Sequence, residues 1–203
     1  MNKILKKVTD NTKDLCLLEF SGKDVINIYR EFSLVGIDII IDGGWAVDAI
    51  IGKQTRKHSD LDIIISIKEI ESVKKVLSKK GFVVDKKETE IPNRLVLINK
   101  DYGLVVDCHL VAFQKDGSGV QDLINYRYVY SKEGLSGKGK ILNEGVKCLS
   151  ASEQMRCRIE KNYSFDDPDR FRPGEINADR HDLDLLKNLP LKRAEDGTRT
   201  HNL

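Results

Sequence analysis

The stretch DGGWAVDAIIGKQTRKHSDLDIII, residues 42–65, decides how the rest of the chain is read. It opens on a glycine pair behind Ile37 to Ile41, a short, branched, apolar run suited to a buried strand. Gly43 and Gly44 permit a sharp turn and close backbone approach by a ligand. Trp45 to Ile51 has the length of a short helix, with Gly52 as its stop. Bare N–H groups at such a helix start, with the positive end of the helix dipole behind them, suit an anion and phosphate above all. Asp60 and Asp62 head the next apolar run. Alternation on a strand aims both acids the same way and puts Leu61, Ile63 and Ile65 on the opposite face. Two like charges about 5 Å apart repel by roughly 3 kcal/mol at an effective dielectric of about 20. A divalent cation turns that repulsion into attraction, and hard oxygen donors select Mg²⁺.

Upstream, Ser21-Gly22-Lys23-Asp24 has the form of a capping box, opening a helix over about 23–34 with Val25, Tyr29 and Phe32 on one face. Downstream, Asp62 to Ile67 is apolar on both faces beyond Asp62, as a central strand is. Lys68 to Lys80 reads as an amphipathic helix stopped by Gly81. Strands follow at Phe82–Val84, Arg94–Ile98 and Leu104–Leu110, with Asp101 to Gly103 turning between the last two. On the last strand Val105, Asp107 and His109 share a face. A carboxylate inside LVVDCHLV is costly to bury alone. If this strand lies beside the Asp60 strand, Asp107 is the third acid of one cluster.

Further on, Gln114 to Gly119 is a polar turn, and residues 132–145 form a glycine-marked loop and hairpin. Ser150 to Glu153 is a second capping box, opening a helix to about Lys161. Residues 166–175 read as a charged loop, and Ala178 to Leu189 as a last helix carrying Leu183, Leu185 and Leu186. The division expected is a core over 20–115, a hairpin and helices over 116–190 that complete an acceptor site, and a disordered tail over 191–203.

Composition bounds the function. The 203 residues are 40% hydrophobic, enough for one packed core. Charged residues make up 33% but nearly cancel, for a net charge of +2, which gives no global attraction to nucleic acid or to an acidic membrane. Cys16, Cys108, Cys148 and Cys157 lack metal-type spacing and read as reduced thiols packed as small hydrophobes. No signal-peptide core or membrane-length run is present in the sequence, so the expected location is the cytoplasm.

The quoted stretch resembles the nucleotidyltransferase superfamily, and more closely the small antibiotic nucleotidyltransferases: lincosamide nucleotidyltransferases and aminoglycoside 2''-adenylyltransferases. Their pattern, Gly-Gly-Trp-x-x-Asp and then Gly-x-x-x-Arg-x-His-x-Asp-x-Asp, is met at Gly43, Gly44, Trp45, Asp48, Gly52, Arg56, His58, Asp60 and Asp62. The resemblance implies a polymerase-beta-like α/β (α+β) fold, a mixed sheet flanked by helices with a helical C-terminal part. It implies an enzyme that moves AMP from ATP to a hydroxyl of an antibiotic, with a lincosamide favoured over an aminoglycoside. No membrane or nucleic-acid partner is expected, and a homodimer is allowed.

On that reading Asp60 and Asp62 hold Mg²⁺, while Asp107 completes a metal site and serves as general base. Gly43 and Gly44 cradle the triphosphate, and Arg56 and His58 approach its outer phosphates. Asp48 reads as structural, pairing with Arg56 or capping a turn. His109 reads as a core histidine, Trp45 as core or pocket wall, and Tyr163 and Asp182 as surface residues. Two other readings stay open: transfer to a protein or RNA in a toxin–antitoxin system, and a non-catalytic nucleotide-binding relative.

Overall fold

Ser21 starts the first helix. Its hydroxyl accepts from the Asp24 N–H at 3.3 Å while the Asp24 carboxylate accepts from the Ser21 N–H at 2.9 Å, so the capping box is closed on both sides. The computed structural model describes residues 19–87, 92–124, 126–163 and 175–189, and the side chains of 160–163, 175 and 176 are not among those described. Cys16, the loop at 166–174, the tail at 191–203 and the Tyr163 side chain lie outside the described residues.

Helix α1 spans Gly22–Leu34 and buries Val25, Ile26, Ile28 and Phe32. Strand β1, Ile40–Ile41, runs into α2, Gly43–Ile51. Gly52 ends α2 in the left-handed region at φ +85°, where a side chain would be strained. Strand β2 is Asp60–Ser66. The helix expected over 68–80 is divided: Ser66 caps a 3-10 turn at Ile67–Glu69, and α3 proper runs Ile70–Ser78. Strands β3 (Phe82–Val84), β4 (Arg94–Asn99) and β5 (Leu104–Phe113) follow. Then come β6 (Gly119–Asp122), β7 (Arg127–Tyr130) and the hairpin β8 (Lys138–Ile141) to β9 (Glu144–Lys147). Helices α4 (Ala151–Tyr163) and α5 (Glu175–Lys187) close the described chain.

The sheet is mixed, in the order β1-β2-β5-β4-β3, and β6 and β7 extend it from β5. Strands β2 and β5 are parallel, with Asp62 opposite Asp107 and Ile64 opposite His109, while the other neighbours are antiparallel. Strand alternation then sorts the core. Leu61, Ile63, Ile65, Val106 and Cys108 join α1 and α3 in one cluster; Ile64 and Val111 join Tyr128, Tyr130 and Leu149 in a second. Asp60, Asp62, Asp107 and His109 share strand parity with Ile64 and Val111, so the polar residues emerge beside the second cluster. Among the described residues no helix is long and apolar enough to cross a membrane.

Two local expectations are corrected by packing. Glu153 does not complete a second capping box: Ser150 caps its N–H at 3.3 Å, but the Glu153 carboxylate is buried and accepts from Tyr128 Oη and Ser131 Oγ at 3.1 Å each. On α5 the buried residues are Asp182 and Leu186, while Leu183 and Leu185 are half-buried. Asp182 is therefore not a surface residue; it is 0% exposed.

Candidate active site

The site begins at the N-terminus of α2. Asp42 is the N-cap, and its Oδ1 accepts from the Gly43 N–H at 2.6 Å and from Gln154 Nε2 at 2.7 Å. One donor of the glycine turn is thus taken by the protein itself. Gly43 lies at φ +61°, and a β-carbon there would sit 1.9 Å from Asp62 Oδ2. A β-carbon on Gly44 would lie 2.4 Å from Arg56 Nη2 and 2.5 Å from His58 Nδ1. The missing side chains are what allow the acid and the two basic residues to close on the turn.

The parallel register brings Asp107 beside Asp62, as the sequence argument requires of the third acid. Asp62, Asp107 and His109 each offer a ligand atom, all within 4.8 Å of one another. Two carboxylates at this spacing fit a hard divalent cation, and the empty β-carbon position of Gly43 leaves Asp62 room to turn toward one. Asp60 is not in that set; it lies earlier on β2 and adds to the negative field around Arg56. His109 is drawn into the acid cluster and does not sit in the core, with Nε2 3.9 Å from Asp62 Oδ1 and Nδ1–H pointing at Gln121 Oε1 at 3.4 Å. Burial disfavours its charge. The close Asp62 carboxylate and the charges of Asp42 and Asp107 outweigh that and raise its pKa to about 10.

Arg94 has no counterpart in the sequence reading. It reaches across from β4, and its Nε donates to both Asp107 oxygens at 3.1 and 2.9 Å while Nη2 donates to Oδ2 at 2.5 Å. The β4–β5 register, with Val96 opposite Asp107 and Arg94 opposite His109, is what places it there. An arginine two residues from the strand position facing the acid is the signal that could have found it.

His58 and Arg56 are both held by acids. His58 Nε2 donates to Asp48 Oδ2 at 2.5 Å, and both side chains are 2% exposed. The other Asp48 oxygen accepts from the Thr55 N–H at 2.9 Å and the Thr55 hydroxyl at 2.6 Å. Asp48 is structural, as expected, but its partner is His58 and not Arg56. The Trp45 ring packs 4.6 Å from His58 and belongs to the core. Arg56 donates from Nε and Nη2 to the two oxygens of Asp182 at 3.0 and 2.9 Å. Arg158 Nη2 adds a third bond to Asp182 at 2.7 Å.

Burial resists the Asp182 charge, but the bonds and charges of Arg56 and Arg158 prevail and hold its pKa below the usual carboxylate value. That contribution to stability is present above about pH 4 and is lost as pH falls through the depressed folded pKa. Asp182→Asn is therefore expected to lower the melting temperature at neutral pH and to flatten its fall below about pH 4. Thermal denaturation as a function of pH checks this. Burial first, then Asp42, pushes the Cys148 and Cys157 thiols up to about 12, away from thiolate chemistry.

Comparison with known proteins identifies a family and several relatives. The sequence profile of the family described as aminoglycoside-2''-adenylyltransferase matches residues 24–186. A lincosamide resistance protein from Staphylococcus haemolyticus is 27% identical over 150 residues, spanning 73% of this chain and 89% of that protein. The lincomycin-bound crystal structure of the lincosamide adenylyltransferase LnuA superposes with a TM-score of 0.64 at 24% identity, over 84% of this chain and 98% of that one. The complex of ANT(2'')-Ia with adenylyl-2''-tobramycin gives 0.63 at 18% identity, over 86% and 92%.

Proposed function

We infer that this chain, which belongs to the aminoglycoside-2''-adenylyltransferase family, transfers AMP from ATP to a hydroxyl of a small antibiotic. The observation that carries the reading is the parallel pairing of Asp62 with Asp107 at the foot of the glycine turn. In the reaction the acceptor oxygen forms a bond to the α-phosphorus, the bond from that phosphorus to the bridging oxygen breaks, and pyrophosphate leaves. Asp107 takes the acceptor's proton as general base. Arg94, gripping both of its oxygens, keeps that carboxylate aimed. Gly43 and Gly44 let the triphosphate approach the backbone, with the Arg56 guanidinium and the His58 ring behind Gly44. Asp62 and Asp107, with Asp60 flanking them, are the residues that would hold Mg²⁺, which supplies neutralisation of the triphosphate charge. Residues 116–190 complete the acceptor side.

For the acceptor we favour a lincosamide. Aminoglycosides are polycations and require acids free to receive them. The acids that α4 and α5 turn inward are already engaged: Glu153 with Arg156, Asp182 with Arg56 and Arg158, and Asp179 facing Arg158 at 3.7 Å, while Asp184 is exposed. The Staphylococcus haemolyticus relative supports the same choice. Incubation with labelled ATP, Mg²⁺ and a panel of lincosamides and aminoglycosides is expected to label lincosamides. Labelling of aminoglycosides alone reverses the acceptor assignment, and labelling of none removes the antibiotic reading.

A further inference from the structure

The two arginines and two acids between the glycine turn and the C-terminal helices form one circuit, buried except at the half-buried Arg56. From Gly43 it passes to Asp42 Oδ1, on to Gln154 Nε2 at 2.7 Å, and from Gln154 Oε1 to Arg158 Nη1. It continues from Arg158 to Asp182 at 2.7 Å and from Asp182 to Arg56, whose Nη2 lies against the Gly44 backbone. Its two ends therefore land on adjacent residues of the same turn. Gln154 and Asp182 are both 0% exposed, and charges alternate along the path: Asp42, Arg158, Asp182, Arg56. In so dry a setting each bond is strong only if its neighbours are in place, so the members act as a unit.

We propose that Asp182 is a positioning residue for the nucleotide: through Arg56 on one side, and Arg158 and Gln154 on the other, helix α5 sets the shape of the Gly43–Gly44 turn. This rests on the reading of that turn as the triphosphate cradle. It adds that the cradle is not a property of the strand–turn–helix alone. It is assembled only when α4 and α5 dock, which ties nucleotide binding to the helices on the acceptor side.

The test is equilibrium ATP binding to the full chain, read by the emission of Trp45, the single tryptophan, and by calorimetry. No acceptor is needed, so failure of the antibiotic assignment leaves the test intact. Asp182→Asn is expected to raise the ATP Kd by about tenfold and to shift Trp45 emission in the free protein, since Trp45 stacks on His58 beside Gly44. Gln154→Met, which keeps the Arg56–Asp182 pair and removes the link from Asp42 to Arg158, is expected to weaken ATP binding by a smaller factor. In turnover assays the KM for ATP rises while the KM for the acceptor does not, a split that general destabilisation would not produce. Glu144→Gln, which removes a distant exposed pair with Arg30, leaves ATP binding unchanged. If Asp182→Asn folds and binds ATP as the unaltered chain does, the proposal is wrong. If it does not fold, an unchanged Kd in Gln154→Met overturns it equally. Absence of ATP binding in the unaltered chain would instead sink the nucleotidyltransferase reading beneath it.

Discussion

Asp107→Asn is expected to slow nucleotidyl transfer by about 10²–10⁴-fold, the range that a positioned general base contributes, while ATP stays bound. The substitution keeps the shape of the side chain and leaves one oxygen to accept from Arg94. It removes the ability to take a proton. Asp107 is buried, with Asp62 opposite it across the parallel pair and Arg94 reaching it from β4 across the antiparallel one. Single-turnover transfer of labelled AMP, with ATP binding measured in parallel, checks both halves. Transfer within tenfold of the unaltered chain would remove Asp107 from the role of base. A loss of ATP affinity as large as the loss of rate would make it chiefly a ligand for the metal–nucleotide complex.

The second large effect is on folding. Asp48→Ala is expected to destabilise the protein by about 3–5 kcal/mol, the cost of breaking a buried charged or strongly hydrogen-bonded pair from one side. Asp48 accepts three bonds, from His58 Nε2, the Thr55 N–H and the Thr55 hydroxyl, and all lose their acceptor at once. His58 is enclosed by Trp45 and Gly44, so water has little access to replace the carboxylate. For a chain of this size roughly 2–4 °C is lost per kcal/mol, which puts the fall in melting temperature at about 6–20 °C. Scanning calorimetry measures it. A fall of under about 3 °C would mean that the loop from Lys53 to Ser59 relaxes and that the Asp48–His58 bond is dispensable. Asp48→Asn, which keeps an acceptor, is the milder companion and separates lost bonding from lost volume.

Several decisive features were written locally. The capping box at Ser21 and Asp24, the stop at Gly52, and the shared face of Asp60 and Asp62 all depend on residues within four positions of one another, and each appears where the pattern put it. The pairing of β2 with β5 was an inference of another kind: a buried acid in an apolar strand needs company, and Asp62 was the available partner. The sequence also resembled its family most densely in that same stretch, because the chemistry of a glycine turn and two acids tolerates little change in spacing.

What only the tertiary structure decided is which charge meets which. Arg56 could have paired with Asp48, eight residues away; it pairs with Asp182, 126 residues on. Asp48 takes His58 instead, Arg94 takes Asp107, and His109 joins the acids. With acids and bases nearly balanced along the chain, composition leaves these pairings degenerate, and the choice falls to the docking of α4 and α5 and to the β4–β5 register. The sequence by itself determined the turn, the strand faces and the acids, because those follow from backbone geometry over a few residues. The long-range partners follow from burial, where an unpaired charge is too costly to leave and the nearest opposite charge in space, not in sequence, satisfies it.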